Sequence, residues 1–110
     1  MNGRPGGSDG NRRSLLVFFS AWRSGPARRM ESLLAQLARK ERHRLEVTRV
    51  DVDQQPELAK RFRIRRVPTL VLVKGKRAVG RLEGRANAAE IEELVDSHLD
   101  GSKTEGRKTS

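Results

Sequence analysis

The segment FSAWRSGPARRM, residues 19–30, joins an apolar run to an amphipathic one and decides how this chain folds. The apolar run before it, within Ser14–Ser20, is typical of a strand buried on both faces of a parallel sheet. A turn is predicted from Ser24 to Pro26, because serine can cap a helix and proline is tolerated in its first turn. Over residues 26–42, apolar side chains then recur at helical spacing. They are Met30, Leu33, Leu34, Leu37 and Ala38.

Outward from this segment, the hydrophobic pattern predicts five further elements. They are a strand over residues 45–52, a short helix over 56–62, two strands over 70–73 and 77–82, and a helix over 87–99 that Asn87 caps. The order β-α-β-α-β-β-α predicts a parallel first βαβ unit and an antiparallel final hairpin. The predicted domain spans residues 14–99, between a flexible, Gly-rich basic arm (1–13) and a disordered tail (100–110).

Several motifs occur in the order and at the spacing of the thioredoxin family, which the chain resembles over residues 14–99. They are the Gly25-Pro26 turn, the sequence VDVDQQP at residues 50–56, the Val67-Pro68-Thr69 loop, the hairpin near Gly75, and Gly84. The resemblance implies an α/β, thioredoxin-like fold, a minimal core with a central four-stranded mixed sheet flanked by helices. It also implies a cis peptide bond before Pro68, facing the turn that carries the family's active site.

The chain departs from the family where chemistry would occur, because it contains no cysteine. Ser24 and Ala27 stand at the two cysteine positions, Arg23 at that of the flanking tryptophan, and Phe18 at that of a buried aspartate. Thiol–disulfide exchange needs an attacking thiolate and a resolving thiol, so we expect no redox activity, no catalytic residue and no cofactor. A register shifted by one residue would instead put Trp22 at the usual tryptophan position and Arg23 at the first cysteine. The degenerate turn comprises Trp22, Arg23, Ser24, Gly25, Pro26 and Ala27.

Four residues allow both a chemical and a structural interpretation. Ser24 could be a nucleophile, but no histidine lies nearby in the sequence and no Gly-x-Ser-x-Gly elbow is present, which favours a helix cap. His43 and His98 are not spaced as metal ligands and are expected on the surface, so no metal site is predicted. Trp22 is expected to pack against the domain, with a place in a partner-binding groove as the alternative.

The charge of the chain is unevenly distributed. The formal net charge is +10, with +11 over residues 14–86 and −4 over residues 87–99. The resembled fold would bring five arginines around one groove, next to Val67, Pro68 and Thr69. They are Arg23, Arg28, Arg29, Arg65 and Arg66. Such a groove suits carboxylate or phosphate groups, whereas the alternative is a solvated basic surface that maintains solubility.

These observations favour a redox-inactive, thioredoxin-like module that binds or scaffolds a protein or an acidic peptide through the basic groove. The alternative is a nucleic-acid-associated protein, which charge supports but which no known motif or interleaved aromatic residue supports. A residual enzyme, or a redox role by family descent, is least favoured. The first apolar run is too short for a signal peptide or a membrane span, so a cytoplasmic protein without membrane contact is expected. The sequence does not address the oligomeric state.

Overall fold

The computed structural model describes residues 13–21, 23 and 27–99. This part of the chain forms seven elements in the predicted order. They are β1 (Ser14–Ser20), α1 (Arg28–Lys40), β2 (Leu45–Asp51), α2 (Pro56–Arg61), β3 (Thr69–Lys74), β4 (Arg77–Glu83) and α3 (Ala88–His98). The predicted arm, apart from Arg13, and the predicted tail lie outside the described residues.

The four strands form one mixed sheet in the order β2-β1-β3-β4. β1 runs parallel to β2, with Ser14 opposite Leu45 and Ser20 opposite Asp51. β3 runs antiparallel to both β1 and β4. The predicted parallel βαβ unit, the final hairpin and the thioredoxin-like α/β fold are therefore confirmed.

Helix α1 begins later than the sequence predicted. Its N-cap residue is Ala27, and its first helical hydrogen bond joins the Glu31 N–H to the Ala27 carbonyl at 2.9 Å. The backbone of Ala27 is still non-helical (φ −106°, ψ 55°), so the chain enters the helix only at Arg28. The prediction that Ser24 caps this helix is therefore wrong. Alanine has no side-chain oxygen, so this helix start lacks the side-chain cap that satisfies a first-turn N–H group elsewhere.

Helices α1 and α3 cover one face of the sheet. Buried side chains from both helices pack there against Leu16 and Phe18 of β1 and against Leu70 and Leu72 of β3. Helix α3 comes close to the sheet at Gly80 of β4. A β-carbon added at this glycine would lie 2.8 Å from Leu94 Cδ1 and 2.9 Å from His98 Cε1. Gly80 therefore lets α3 lie directly on β4.

The opposite face of the sheet has a thinner cover. Val17, Phe19, Val50 and Val71 are buried there, and α2 packs over them without burying any residue of its own fully. The Phe62 ring, just beyond α2, lies 5.4 Å from the Phe19 ring, measured between centroids.

The end of α2 is closed by a Schellman motif. The Arg63 N–H donates to the Lys60 carbonyl at 3.0 Å, and the Ile64 N–H donates to the Ala59 carbonyl at 2.9 Å. Arg63 has a positive φ of 56°, a conformation that favours glycine. The two bonds fix the direction in which the chain leaves the helix towards β3.

The acidic helix α3 pairs with the basic end of α1 and the connection that follows it. Arg44 donates to Glu41 at 2.6 Å and to Asp96 at 3.2 Å, and Lys40 lies 3.7 Å from Glu92. The hydrogen bond to Glu41 and the charges of Glu41 and Asp96 raise the pKa of Arg44 above its ordinary value, against the opposing effect of burial. The charge separation seen in the sequence is thus partly neutralised within the fold.

Candidate functional site

The loop before β3 is held from both sides. The peptide bond between Val67 and Pro68 is cis, as the resemblance implied. The Pro68 carbonyl accepts a hydrogen bond from the Gly84 N–H at 2.8 Å, and the buried Thr69 hydroxyl donates to the Arg66 carbonyl at 2.7 Å. These bonds fix the loop against the end of β4 and the start of β3.

Val67 differs from the adjacent Arg66 and Pro68, whose carbonyls accept hydrogen bonds, because its own backbone is unpaired within the described residues. Within the described part of the chain, neither its N–H nor its carbonyl takes part in a hydrogen bond. The residue is half-buried, and its N–H and carbonyl are available to a partner. An unpaired donor and acceptor on one residue are groups with which an added peptide strand can pair.

A cleft of about 630 Å³ lies beside the start of α1. Arg28 and Arg29 line it from α1, and Arg85 lines it from the connection between β4 and α3. The remaining wall residues are Ala27, Met30, Ala86, Asn87 and Glu90. Three arginines therefore line one opening at the positive end of a helix dipole, where cations are disfavoured.

The acidic side chains near this cleft already have other partners. Glu90 accepts a hydrogen bond from the Asn87 N–H at 2.9 Å, and Asn87 in turn accepts from the Glu90 N–H at 2.8 Å. This capping box confirms Asn87 as the cap of the last helix. Glu31, in the first turn of α1, pairs with Arg49 at 3.1 Å. No carboxylate of the residues described here lies within ion-pair distance of Arg28, Arg29 or Arg85.

Two of the five arginines that the sequence predicted around one groove line this cleft. Arg28 and Arg29 share the cleft with Arg85, which the sequence prediction did not include. Arg23 lines a different opening with Asp51, Asp53 and Gln54. Its position follows from the parallel pairing of β1 and β2, which brings the ends of these two strands together.

The other two arginines, Arg65 and Arg66, are exposed on the loop before Val67. The Arg66 side chain extends towards Gly84, where its Nη1 would lie 3.9 Å from an added β-carbon. Arg85 follows Gly84 directly in the chain. The loop therefore adjoins the cleft through Gly84, although a single groove containing all five predicted arginines stays a prediction.

The described positions that correspond to the family's reactive groups are apolar. Phe18 is fully buried beneath the two helices, and Ala27 packs against the same cluster. The described residues do not include Trp22, Ser24, Gly25 and Pro26. Both registers of the turn therefore stay predictions. In residues 13–21, 23 and 27–99, no three histidine, aspartate or glutamate side chains come together as a metal ion would require. None of the helices described is long and apolar enough to cross a membrane.

Comparison with known proteins gives one consistent result. The sequence profile of the thioredoxin family matches residues 8–97. The chain is 35% identical over 88 residues to a thioredoxin of Alicyclobacillus acidocaldarius, covering 79% of this chain and 83% of that protein. It is 33% identical over 87 residues, 78% of this chain, to a bifunctional thioredoxin reductase/thioredoxin of Mycobacterium leprae, but spans only 19% of that longer protein.

Among solved structures, the fold is similar to that of Deadhead, a germline-specific thioredoxin of Drosophila melanogaster. The TM-score is 0.75 at 28% sequence identity, and the match covers 88% of this chain and 90% of the other.

Proposed function

Since the chain belongs to the thioredoxin family and contains no cysteine, we propose that it is a redox-inactive module that binds or scaffolds a protein partner. The partner docks as an extended, acidic peptide along the loop that contains Val67 and Pro68. The observation that carries this proposal is the backbone of Val67, which has no hydrogen-bond partner among the described residues and lies on a loop that is fixed at Pro68 and Thr69.

The same residues argue against disulfide chemistry. A mixed disulfide forms when a thiolate attacks a sulfur atom, and the 110 residues of this chain contain no thiol. Phe18, fully buried, has no group that could accept or release a proton. Peptide docking through backbone hydrogen bonds requires neither a thiol nor a proton donor.

The acidic character of the partner follows from the charges around the loop. Arg65 and Arg66 precede Val67 directly, and both are exposed. Oppositely charged surfaces steer partners together and suppress wrong ones, so a segment rich in aspartate or glutamate would associate fastest. A cytoplasmic location is part of the same proposal.

A nucleic-acid partner is the second candidate, and the net charge of +10 is the observation that favours it. Such binding would be driven by phosphate contacts and would weaken steeply with salt. The described aromatic side chains do not favour it, because Phe18 and Phe19 are buried and Phe62 packs on Phe19. Stacking on bases requires exposed rings.

A selection from a randomised peptide display library tests the proposal. Peptides selected by the full chain should be acidic, and adding one should protect the Val67 amide from hydrogen exchange. Replacing single amides of the selected peptide by N-methyl amides should abolish binding at the position that pairs with Val67 and leave the other positions nearly unaffected. Selected peptides that leave the Val67 amide unprotected would refute docking at this loop.

A further inference from the structure

We infer that the cleft lined by Arg28, Arg29 and Arg85 binds a phosphoryl group on the partner peptide, next to the segment that docks at Val67. The inference rests on the proposed function in one respect, because the phosphoryl group belongs to the docked peptide. It adds a second contact of different chemistry, made by side chains and by the start of a helix rather than by the loop backbone.

The charge of the cleft matches a dianion. Its charged lining residues are three arginines and Glu90, which gives a net charge of +2. A phosphorylated side chain carries about −1.5 to −2 at pH 7, whereas an aspartate or glutamate side chain carries −1. A single carboxylate would leave part of this positive charge unbalanced.

The hydrogen-bond donors of the cleft have no partner within the described part of the chain either. None of the three guanidinium groups is within ion-pair distance of a carboxylate of the described residues, and Glu90 is turned towards the Asn87 N–H. The first turn of α1 adds backbone N–H groups at Arg28, Arg29 and Met30, which precede the first helical hydrogen bond and which Ala27 cannot cap. Arginine guanidinium groups and the backbone N–H groups at helix N-termini are donors that proteins use to bind phosphate.

The position of the cleft allows one peptide to reach both contacts. The Gly84 N–H donates to the Pro68 carbonyl at 2.8 Å, and Arg85 is the next residue in the chain. A peptide that pairs with Val67 would therefore pass the mouth of the cleft within a few residues. At about 630 Å³, the cleft has room for a phosphorylated side chain.

The test titrates the isotope-labelled full chain with four probes, monitored by amide resonances in NMR spectra. Three are degenerate peptide libraries that differ only at a fixed central position, which is phosphoserine, serine or aspartate. The fourth is an oligothymidylate of ten nucleotides. The phosphoserine library should shift the amides of Arg28, Arg29 and Arg85, and it should bind at least about tenfold tighter than the serine library, the effect of one charge-assisted hydrogen bond.

Matched variants test whether the arginines of the cleft cause the difference in affinity. Arg28→Gln/Arg29→Gln should lose at least about tenfold of the affinity for the phosphoserine library, and Arg85→Gln, outside any helix, should lose a similar factor. Arg39→Gln/Arg42→Gln removes the same charge from exposed positions near the other end of α1, and should change the affinity by less than about threefold, because distant surface charges are screened. Thermal unfolding confirms that each variant is folded.

Several results would overturn the inference. They are equal affinity for the aspartate library, an equal loss in Arg39→Gln/Arg42→Gln, and displacement of the phosphoserine library by the oligothymidylate. Docking is judged separately from the Val67 amide. If the Val67 amide resonance shifts with every library and the resonances of Arg28, Arg29 and Arg85 shift with none, docking at Val67 stands and the phosphoryl site is refuted. If only the cleft amides shift, the phosphoryl contact stands and docking at Val67 is refuted.

Discussion

Replacing Gly80 by alanine should destabilise the domain, and the reason is packing rather than backbone conformation. Gly80 is not among the glycines with positive φ, so alanine can adopt its backbone geometry. The added methyl group, however, would lie 2.8 Å from Leu94 Cδ1 and 2.9 Å from His98 Cε1. Carbon atoms normally pack at about 3.5–4.0 Å, so both neighbours would have to move by about 0.6 Å or more.

Neither neighbour moves freely. Leu94 is buried among the core residues, and the His98 ring is held by a hydrogen bond between its Nδ1 and the Leu94 carbonyl at 3.0 Å. Overpacking of this kind costs about 1–3 kcal/mol, and the reduced freedom of the unfolded chain returns about 0.4–1 kcal/mol. We therefore expect a net loss of about 0.5–2 kcal/mol, with each kcal/mol lowering the melting temperature by about 4–8 °C in a domain of this size.

Denaturant unfolding of a double-mutant cycle is the assay. Leu94→Val removes Cδ1, so Gly80→Ala should cost less in that background than in the wild type. Gly75→Ala is the matched control. Gly75 has a φ of +63° and no atom within 4 Å of an added β-carbon, so its cost of about 1 kcal/mol is conformational and should be the same in both backgrounds. A Gly80→Ala protein as stable as the wild type, or a cost that Leu94→Val leaves unchanged, would refute the reasoning.

Three further predictions concern the ends of the helices. Arg63→Gly should raise the free energy of unfolding by about 1 kcal/mol, because arginine occupies a left-handed conformation at the end of α2; a loss of stability in chemical denaturation would contradict this. Arg28→Gln/Arg29→Gln should stabilise the domain by about 0.3–1 kcal/mol per residue at low ionic strength, because both cations oppose the α1 dipole. That gain should shrink when unfolding is repeated in high salt, and a salt-independent change would point to another cause. Asn87→Ala should lower the free energy of unfolding by about 1 kcal/mol, because it removes the cap of α3. Asn87→Asp, which can still cap, should be nearly as stable as the wild type, and thermal unfolding measures both.

The elements of the fold could be predicted from the sequence because each depends on a local pattern. The apolar run of β1 and the helical spacing of Ile91, Leu94 and Val95 follow directly from the order of residues, and the structure confirms both. The start of α1 could not be predicted in the same way. Ser24 has the chemistry of a cap, but the residue at which a turn becomes a helix depends on how the turn packs, and that residue is Ala27.

The candidate site was predictable only in part, because its contacts join residues that are distant in sequence. Arg28 and Arg29 were selected for their charge, whereas Arg85 was missed since it meets them only after β4 has returned alongside β3. Arg23 instead lines an opening with Asp51 and Asp53, because the parallel pairing of β1 and β2 brings the ends of these strands together. The contact of Gly80 with α3 has no local signal, because one glycine in a strand does not indicate which side chain will cross it.

The thin cover on one face of the sheet also sets the order in which the domain opens. Helix α2 buries no residue fully, and one aromatic contact and a pair of hydrogen bonds from Arg81 to the Phe62 and Arg63 carbonyls secure the chain beyond it. Segments with few buried contacts open at a free energy far below that of global unfolding. Within residues 13–99, a protease should therefore cut first between residues 56 and 66, and a docked peptide, by covering the adjoining loop at Val67, should slow that cleavage in proportion to its occupancy.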